Sequence, residues 1–170
     1  MKELLKSRRS IRKYKDTKID REVINHILQC GLLSPTSRNS KPWEIYLTED
    51  KEKIEKLSRS KDSGSAFIKD APLVVVLAAD PDRSGVWIED LSIMATIMHL
   101  EAHQLGIGSC WVQIRGRDHS PSLSAEDYIK EVMDIAENRK ILCLISFGIP
   151  DEEKKSYTDE DILSDRIIWR

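Results

Sequence analysis

Leu73-Val74-Val75-Val76-Leu77-Ala78-Ala79 contains no polar position, so it predicts a strand covered on both faces. Residues 141–147, apolar but for Ser146, predict another buried strand, closed by Gly148-Ile149-Pro150. Trp43-Glu44-Ile45-Tyr46-Leu47-Thr48 alternates as a strand with one buried face should. A fourth strand is predicted over residues 106–113, with Gly106 and Gly108 at its entry. Between these runs the period lengthens. Residues 20–33 place Val23, Ile24, Ile27, Leu28 and Leu32 on one helical face behind Asp20 as N-cap. Short helices are expected over residues 2–7 and, heavily charged, over about 50–60. A Ser/Gly loop at 61–65 leads to a helical turn around 66–70. Ser124 and Asp127 predict a capped helix to about residue 137. Residues 86–105 form the longest predicted helix, apolar nearly all round (Trp87, Ile88, Leu91, Ile93, Met94), so the fold or a partner must cover it.

Helices alternating with doubly covered strands predict a layered αβα core. The chain then ends in Arg166-Ile167-Ile168-Trp169-Arg170, apolar residues behind a charged stretch. Such a tail needs a surface to land on, and a partner subunit is the expected one.

Composition narrows the function classes. The chain has 170 residues, enough for one domain with a substantial core and short for two. Its formal net charge of −2 gives no support to salt-driven nucleic-acid binding. No apolar run approaches the roughly 20 residues that cross a bilayer, and Met1-Lys2-Glu3-Leu4-Leu5-Lys6 does not open a signal peptide. Cys30, Cys110 and Cys143 are an odd set without CxxC spacing, expected as free thiols in a reducing cytoplasm.

Two polar segments carry candidate chemistry. Arg8-Arg9-Ser10-Ile11-Arg12 concentrates three guanidinium groups and a hydroxyl. Ser34-Pro35-Thr36-Ser37-Arg38-Asn39-Ser40-Lys41-Pro42-Trp43 is a proline-bounded loop of hydroxyl, amide and cationic groups. Arginine forks with clustered N–H and O–H donors suit a phosphate and a carbonyl-rich heterocycle. Plainer readings exist for each: a basic face complementing a helix dipole, and a helix-terminating turn. His99 and His103 stand four apart on the long helix, a spacing open to a metal but lacking a third ligand, so no metal site is expected. Arg115, Arg117, Asp118 and His119 form either a solvated loop or a rim that meets a substrate. Gly106 and Gly108 precede a strand and so do not make a dinucleotide fingerprint.

Arg8-Arg9-Ser10-Ile11-Arg12-Lys13-Tyr14 and the 34–43 loop, followed by Asp70-Ala71-Pro72-Leu73, by Glu101 to Trp111, and by Ser146-Phe147-Gly148-Ile149-Pro150, resemble the nitroreductase family of FMN-dependent oxidoreductases in family order. The resemblance spans nearly the whole chain and points to a compact member. It implies an α+β fold, a three-layer αβα sandwich with a mixed central sheet and helices on both faces. It also implies an intertwined homodimer with FMN at the interface and the C-terminal tail extending onto the partner. By position, Arg8 and Ser10 match phosphate contacts, Arg9 the ribityl region, and Arg12 a basic group near flavin N1 and O2. Pro35, Thr36, Ser37, Asn39 and Ser40 match a loop reaching the flavin from the second subunit. Trp111, Val112, Gln113 and Ile114 match the strand end along the ring, and Lys154 and Lys155 a second phosphate contact; at the pyrimidine edge, where relatives often carry an asparagine or glutamine, the candidates are Ser63, Gly64 and Ser65.

The implied activity is ping-pong hydride transfer from NADH or NADPH through flavin N5 to an electron-poor small molecule such as a nitroaromatic or quinone, with no catalytic side chain required. Two alternatives keep the fold: an FMN-binding module that stores or senses, or an enzyme with another task such as dehalogenation or flavin fragmentation. Many relatives carry Pro-Ile-Glu-Gly where this chain has Trp111-Val112-Gln113-Ile114, which removes a carboxylate beside the expected nicotinamide pocket.

Overall fold

β2 (Leu73–Ala79) and β6 (Lys140–Gly148), the two strands expected to be covered on both faces, sit side by side in the middle of the main sheet. The computed structural model describes residues 1–170. Its other elements are α1 (Lys2–Ser7), α2 (Arg21–Leu32), β1 (Trp43–Thr48), α3 (Lys51–Leu57), α4 (Trp87–Gln104), β3 (Gly108–Gln113), β4 (Asp118–Ser120), β5 (Leu123–Ser124) and α5 (Ala125–Met133). The sheet order is β1-β2-β6-β3, and every strand pair is antiparallel. The central pair is fully covered, whereas β1 at the edge is half-buried, which is why β1 alone shows alternation.

Alternate residues of β2 feed two separate cores. Val74, Val76 and Ala78 join Ile54 and Leu57 of α3 with Ile129 and Met133 of α5. Leu73, Val75, Leu77 and Ala79 join Ile24 and Ile27 of α2 with Leu91, Met94 and Met98 of α4. The period-2 pleat therefore builds the expected three layers. Each fully buried aliphatic side chain contributes about 1.5–3 kcal/mol by leaving water.

Three details depart from the pattern. The face that α2 buries runs through Gly31 rather than Leu32: a Cβ at Gly31 would lie 2.8 Å from the Met98 Cγ, so the bare glycine lets α2 press against α4. Leu32 is consequently 45% exposed. α5 stops at Met133, short of residue 137, because Asp134 takes the left-handed conformation (φ 55°, ψ 49°). The expected mixed sheet has its parallel component reduced to one isolated bridge between Ser10 and Ser109.

That bridge belongs to an extended N-terminal segment laid along β3. The Ile11 amide donates to the Ser109 carbonyl at 3.0 Å, and the Lys15 amide donates to Ile149 at 2.9 Å. Tyr14 locks it: its hydroxyl donates to the Ile11 carbonyl at 2.5 Å and lies 2.8 Å from the Ser146 hydroxyl. Its ring fills the space over Gly148, where a Cβ would meet Tyr14 Cδ1 at 2.6 Å. Burial pushes the Tyr14 phenol well up, so it stays protonated. After β6 the chain returns to α1. The Tyr157 amide donates to the Lys6 carbonyl, and Lys2 and Lys6 both pair with Asp159. Beyond this clamp Ile167, Ile168 and Trp169 are exposed, Trp169 by 92%. No helix is long and apolar enough to cross a membrane.

Candidate functional site

α1 ends at Arg8, whose extended conformation (φ −60°, ψ 126°) swings the next residues onto the edge of β3. None of Arg8, Arg9 and Arg12 forms an ion pair with a carboxylate. Arg9 donates to the Lys6 carbonyl and lies 3.4 Å over the Tyr157 ring, with its Nε buried and unpartnered. Arg12 is exposed, its guanidinium 5.6 Å from the Phe67 ring centroid. The nearby acid, Glu152, is occupied otherwise. It accepts from the Arg12 amide at 2.6 Å and the Lys13 amide at 3.3 Å, and pairs with Lys154 at 2.7 Å. Burial acts to raise the Glu152 carboxyl, but Lys154 and the two amides outweigh it and hold it below the usual range. Glu152 thus fixes the backbone of the arginine segment without neutralising its guanidinium groups.

A cavity of about 300 Å³ opens beside this segment, lined by Ser7, Arg9, His103, Ser109, Glu152 and Lys154 among others. His99 Nδ1 lies 2.7 Å from the Ser109 hydroxyl, and its Nε2 is buried without a partner. Burial, helped by the Arg8 charge, pulls the His99 imidazole down to about 4. His103 Nε2 lies 2.8 Å from the Ser7 hydroxyl, and burial with Arg8 and Arg9 lowers its imidazole too. Both rings favour the neutral form, so they add hydrogen-bonding groups rather than charge. Each is committed to a serine.

The 34–43 loop is held at the opposite end of α4. The Asp90 carboxylate, 2% exposed in the first turn of that helix, accepts the Ser37 amide at 2.9 Å and the Ser84 hydroxyl at 2.8 Å. Arg38, Asn39 and Lys41 all take positive φ (52°, 55° and 45°). Such residues cost about 1–3 kcal/mol each and concentrate where backbone strain serves a ligand. Thr36 is half-buried and accepts the Lys41 amide at 3.3 Å; Pro35, Ser37 and Asn39 are exposed. The Ser40 hydroxyl is buried and has no partner. From Asp90 to His103 is 13 positions along one helix, about 20 Å at 1.5 Å per residue. The loop and the arginine cavity therefore stand at opposite ends of α4 within one chain.

At the end of β3, Trp111 is half-buried, its Nε1 donating to Gln113 Oε1 at 3.0 Å; Gln113 Nε2 donates in turn to the Arg115 carbonyl at 2.8 Å. The Val112 side chain is in the core at 2% exposure. Ser65 is 1% exposed and its hydroxyl donates to the Ser58 carbonyl at 2.8 Å, a bond that ties the turn and leaves it no free face. Lys154 flanks the cavity, while Lys155 is exposed and forms no ion pair. His119 stacks on Tyr128 with centroids 3.9 Å apart and lies 2.8 Å from the Arg59 carbonyl, so the 115–119 segment is an anchored hairpin.

Sequence reasoning missed Asp90, Ser84, Glu152, Ser7 and Ser109. Asp90 reads as a dipole complement at a helix start. Its loop partner lies 53 residues away. Glu152 lies in a charged run where nothing marks one acid over its neighbours.

The Nitroreductase family profile matches residues 5–61 and 56–149. A protein of Archaeoglobus fulgidus, whose provisional name pairs NADH dehydrogenase with NAD(P)H nitroreductase, is 33% identical over 98% of this chain and 97% of its own length. An FMN reductase [NAD(P)H] of Bacillus subtilis is 32% identical over 54% of this chain and 37% of its own. An FMN-dependent nitroreductase from Clostridium difficile R20291 superposes with a TM-score of 0.97 at 42% identity, covering 99% of this chain and 98% of that one.

Proposed function

The chain belongs to the nitroreductase family, and from that membership we propose that it is an FMN-dependent NAD(P)H oxidoreductase reducing electron-poor small molecules such as nitroaromatics or quinones. The observation that carries this reading is the 8–12 segment, whose three arginines have no carboxylate partner and whose Arg9 lines a cavity together with Lys154. Unneutralised guanidinium groups at an open cavity fit a phosphate. The orphaned Arg9 Nε and Ser40 hydroxyl fit a ligand rich in oxygen acceptors.

FMN, when bound, supplies hydride acceptance at N5 and onward delivery to the acceptor. The chain's own residues bind and orient. Arg8 and Ser10 would hold the phosphate with Lys154 or Lys155 beside them, and Arg9 the ribityl chain. Arg12, positioned through its amide by Glu152, would bring a positive charge to the flavin's pyrimidine edge, where reduction accumulates negative charge. Trp111 and Gln113 would border the ring, with Val112 contributing only its backbone. No side chain is asked to act as nucleophile or general base.

We read the active form as a homodimer. The roughly 20 Å that separates the arginine cavity from the 35–40 loop supports a loop that serves the other subunit's site. The exposed Leu33, Ile93 and Leu105 offer apolar surface for that contact, and the tail from Ile167 would extend onto the partner. Residues 1–170 would form one domain, and the three unpaired cysteines suit a cytoplasmic location.

The test is a visible spectrum of the protein incubated with FMN and desalted, then mixed without oxygen with NADH or NADPH. Retained flavin absorbance that bleaches and returns on adding a quinone supports the oxidoreductase. A colourless protein overturns FMN use. A yellow protein that neither donor bleaches overturns the enzyme and leaves a binding module.

A further inference from the structure

Three side chains unconnected with the arginine cavity converge where α2 crosses α4. His26 and Cys30 stand at i, i+4 on α2, and Glu101 faces them from α4. His26 Nε2 lies 3.0 Å from Glu101 Oε1, and the imidazole nitrogen, the Cys30 sulfur and the carboxylate oxygen all lie within 4.8 Å of one another. We propose that His26, Cys30 and Glu101 form a binding site for a divalent cation of borderline softness, Zn²⁺ or Co²⁺, that staples α2 to α4.

The geometry matches one ion rather than a simple ion pair. Ligand distances of about 2.0–2.3 Å around a tetrahedral ion put neighbouring donor atoms about 3.4–3.6 Å apart. The three donor atoms, all within 4.8 Å of one another, lie close enough to close around one ion, and the His26 side chain, 57% exposed, is free to adjust. Donor chemistry agrees: imidazole, thiolate and carboxylate together select zinc and its neighbours over the oxygen-seeking Mg²⁺ and Ca²⁺. Three protein ligands leave one position for water.

Charge points the same way. Glu101 is 19% exposed and pairs with no lysine or arginine; His26 is its sole ion-pair partner. A bound metal would neutralise the Glu101 carboxylate and release the Cys30 thiol proton. Cys110 and Cys143 are buried, which leaves Cys30 as the accessible thiol. Glu101 lies two residues from both His99 and His103, about 200° around the helix from either. The metal site therefore lies on the other side of α4 from the cavity and is independent of the proposed flavin chemistry.

Cobalt provides the test. Flavin-loaded protein, stripped with EDTA and desalted, is titrated with Co²⁺ under anaerobic, reducing conditions, and difference spectra are taken against the same sample without cobalt. The expected result is saturation near one equivalent, with a thiolate-to-cobalt charge-transfer band and visible bands of a four-coordinate ion, all lost when Zn²⁺ is added. Cys30→Ser should abolish the charge-transfer band. His26→Gln, on an exposed side chain that leaves folding intact, should weaken cobalt binding about tenfold or more. Absence of the bands overturns the site. So does a band that persists in Cys30→Ser, or binding that His26→Gln leaves unchanged.

Discussion

His99→Gln should remove a specific acid sensitivity from this fold. In the native protein the His99 imidazole is pulled from 6.5 to about 4, first by burial and then by Arg8. The unfolded chain therefore takes up a proton on this ring as pH falls from about 6.5 to about 4, while the folded chain does not. Stability linked to His99 is present above pH 6.5 and is lost as pH falls through that window. At about 1.36 kcal/mol per pH unit the full loss is roughly 3 kcal/mol, and about 2 kcal/mol of it falls between pH 7 and pH 5. Glutamine keeps an amide able to reach the Ser109 hydroxyl but cannot titrate. The assay is urea unfolding of flavin-free wild type and variant at pH 7 and pH 5, at fixed protein concentration. Wild type should lose about 2 kcal/mol more than the variant over that interval. The carboxyls held low, including Asp159 at about 2, titrate below this window and are common to both proteins. Equal losses in the two would refute the reasoning and mean that the His99 ring takes up its proton as readily in the fold as outside it.

Arg8→Ala should weaken FMN binding by about 10–150-fold, because a charge-assisted phosphate contact contributes about 1.5–3 kcal/mol; flavin fluorescence titration reads this, and unchanged affinity would remove Arg8 from the phosphate. Asp90→Ala strands the Ser37 amide and the Ser84 hydroxyl, so it should cost about 2–3 kcal/mol in urea unfolding and lower flavin occupancy together. Full flavin occupancy in the Asp90 variant would separate the 34–43 loop from the cofactor. Deleting residues 166–170 should loosen the proposed homodimer and lower flavin content in the same step, measured by light scattering and absorbance; a truncated protein that stays dimeric and yellow would show that the tail clasps nothing.

Strand identity was legible because burial on both faces leaves its mark residue by residue: β2 and β6 could hardly be anything else. Helix length was less legible, because α5 ends on the backbone conformation of Asp134, an ordinary acid in the sequence. Leu32 misled for a related reason. Periodicity ranks side chains by hydrophobicity, but α2 meets α4 through the absence of a side chain at Gly31. At the candidate site the cationic residues announced themselves by clustering. Their supports did not: Glu152 reaches the Arg12 amide across 140 residues, and Asp90 reaches the Ser37 amide across 53. Ser65 carries a hydroxyl whose partner, the Ser58 carbonyl, the local sequence did not announce. The local sequence of His26 and Cys30 gave no hint of Glu101, which only helix crossing brings near.

The stitching of the N-terminal segment to β3 and β6 has a consequence for the order of events during synthesis. Residues 8–14 are synthesised well before Ser109, Ser146, Ile149 and Glu152, which fix their course. Until those residues are made, the arginines have no strand edge to lie on. They acquire their shape only when the closing strand arrives and Tyr14 drops over Gly148. A nascent chain stalled before residue 146 would therefore carry every arginine of the cluster without the sheet edge that orders them.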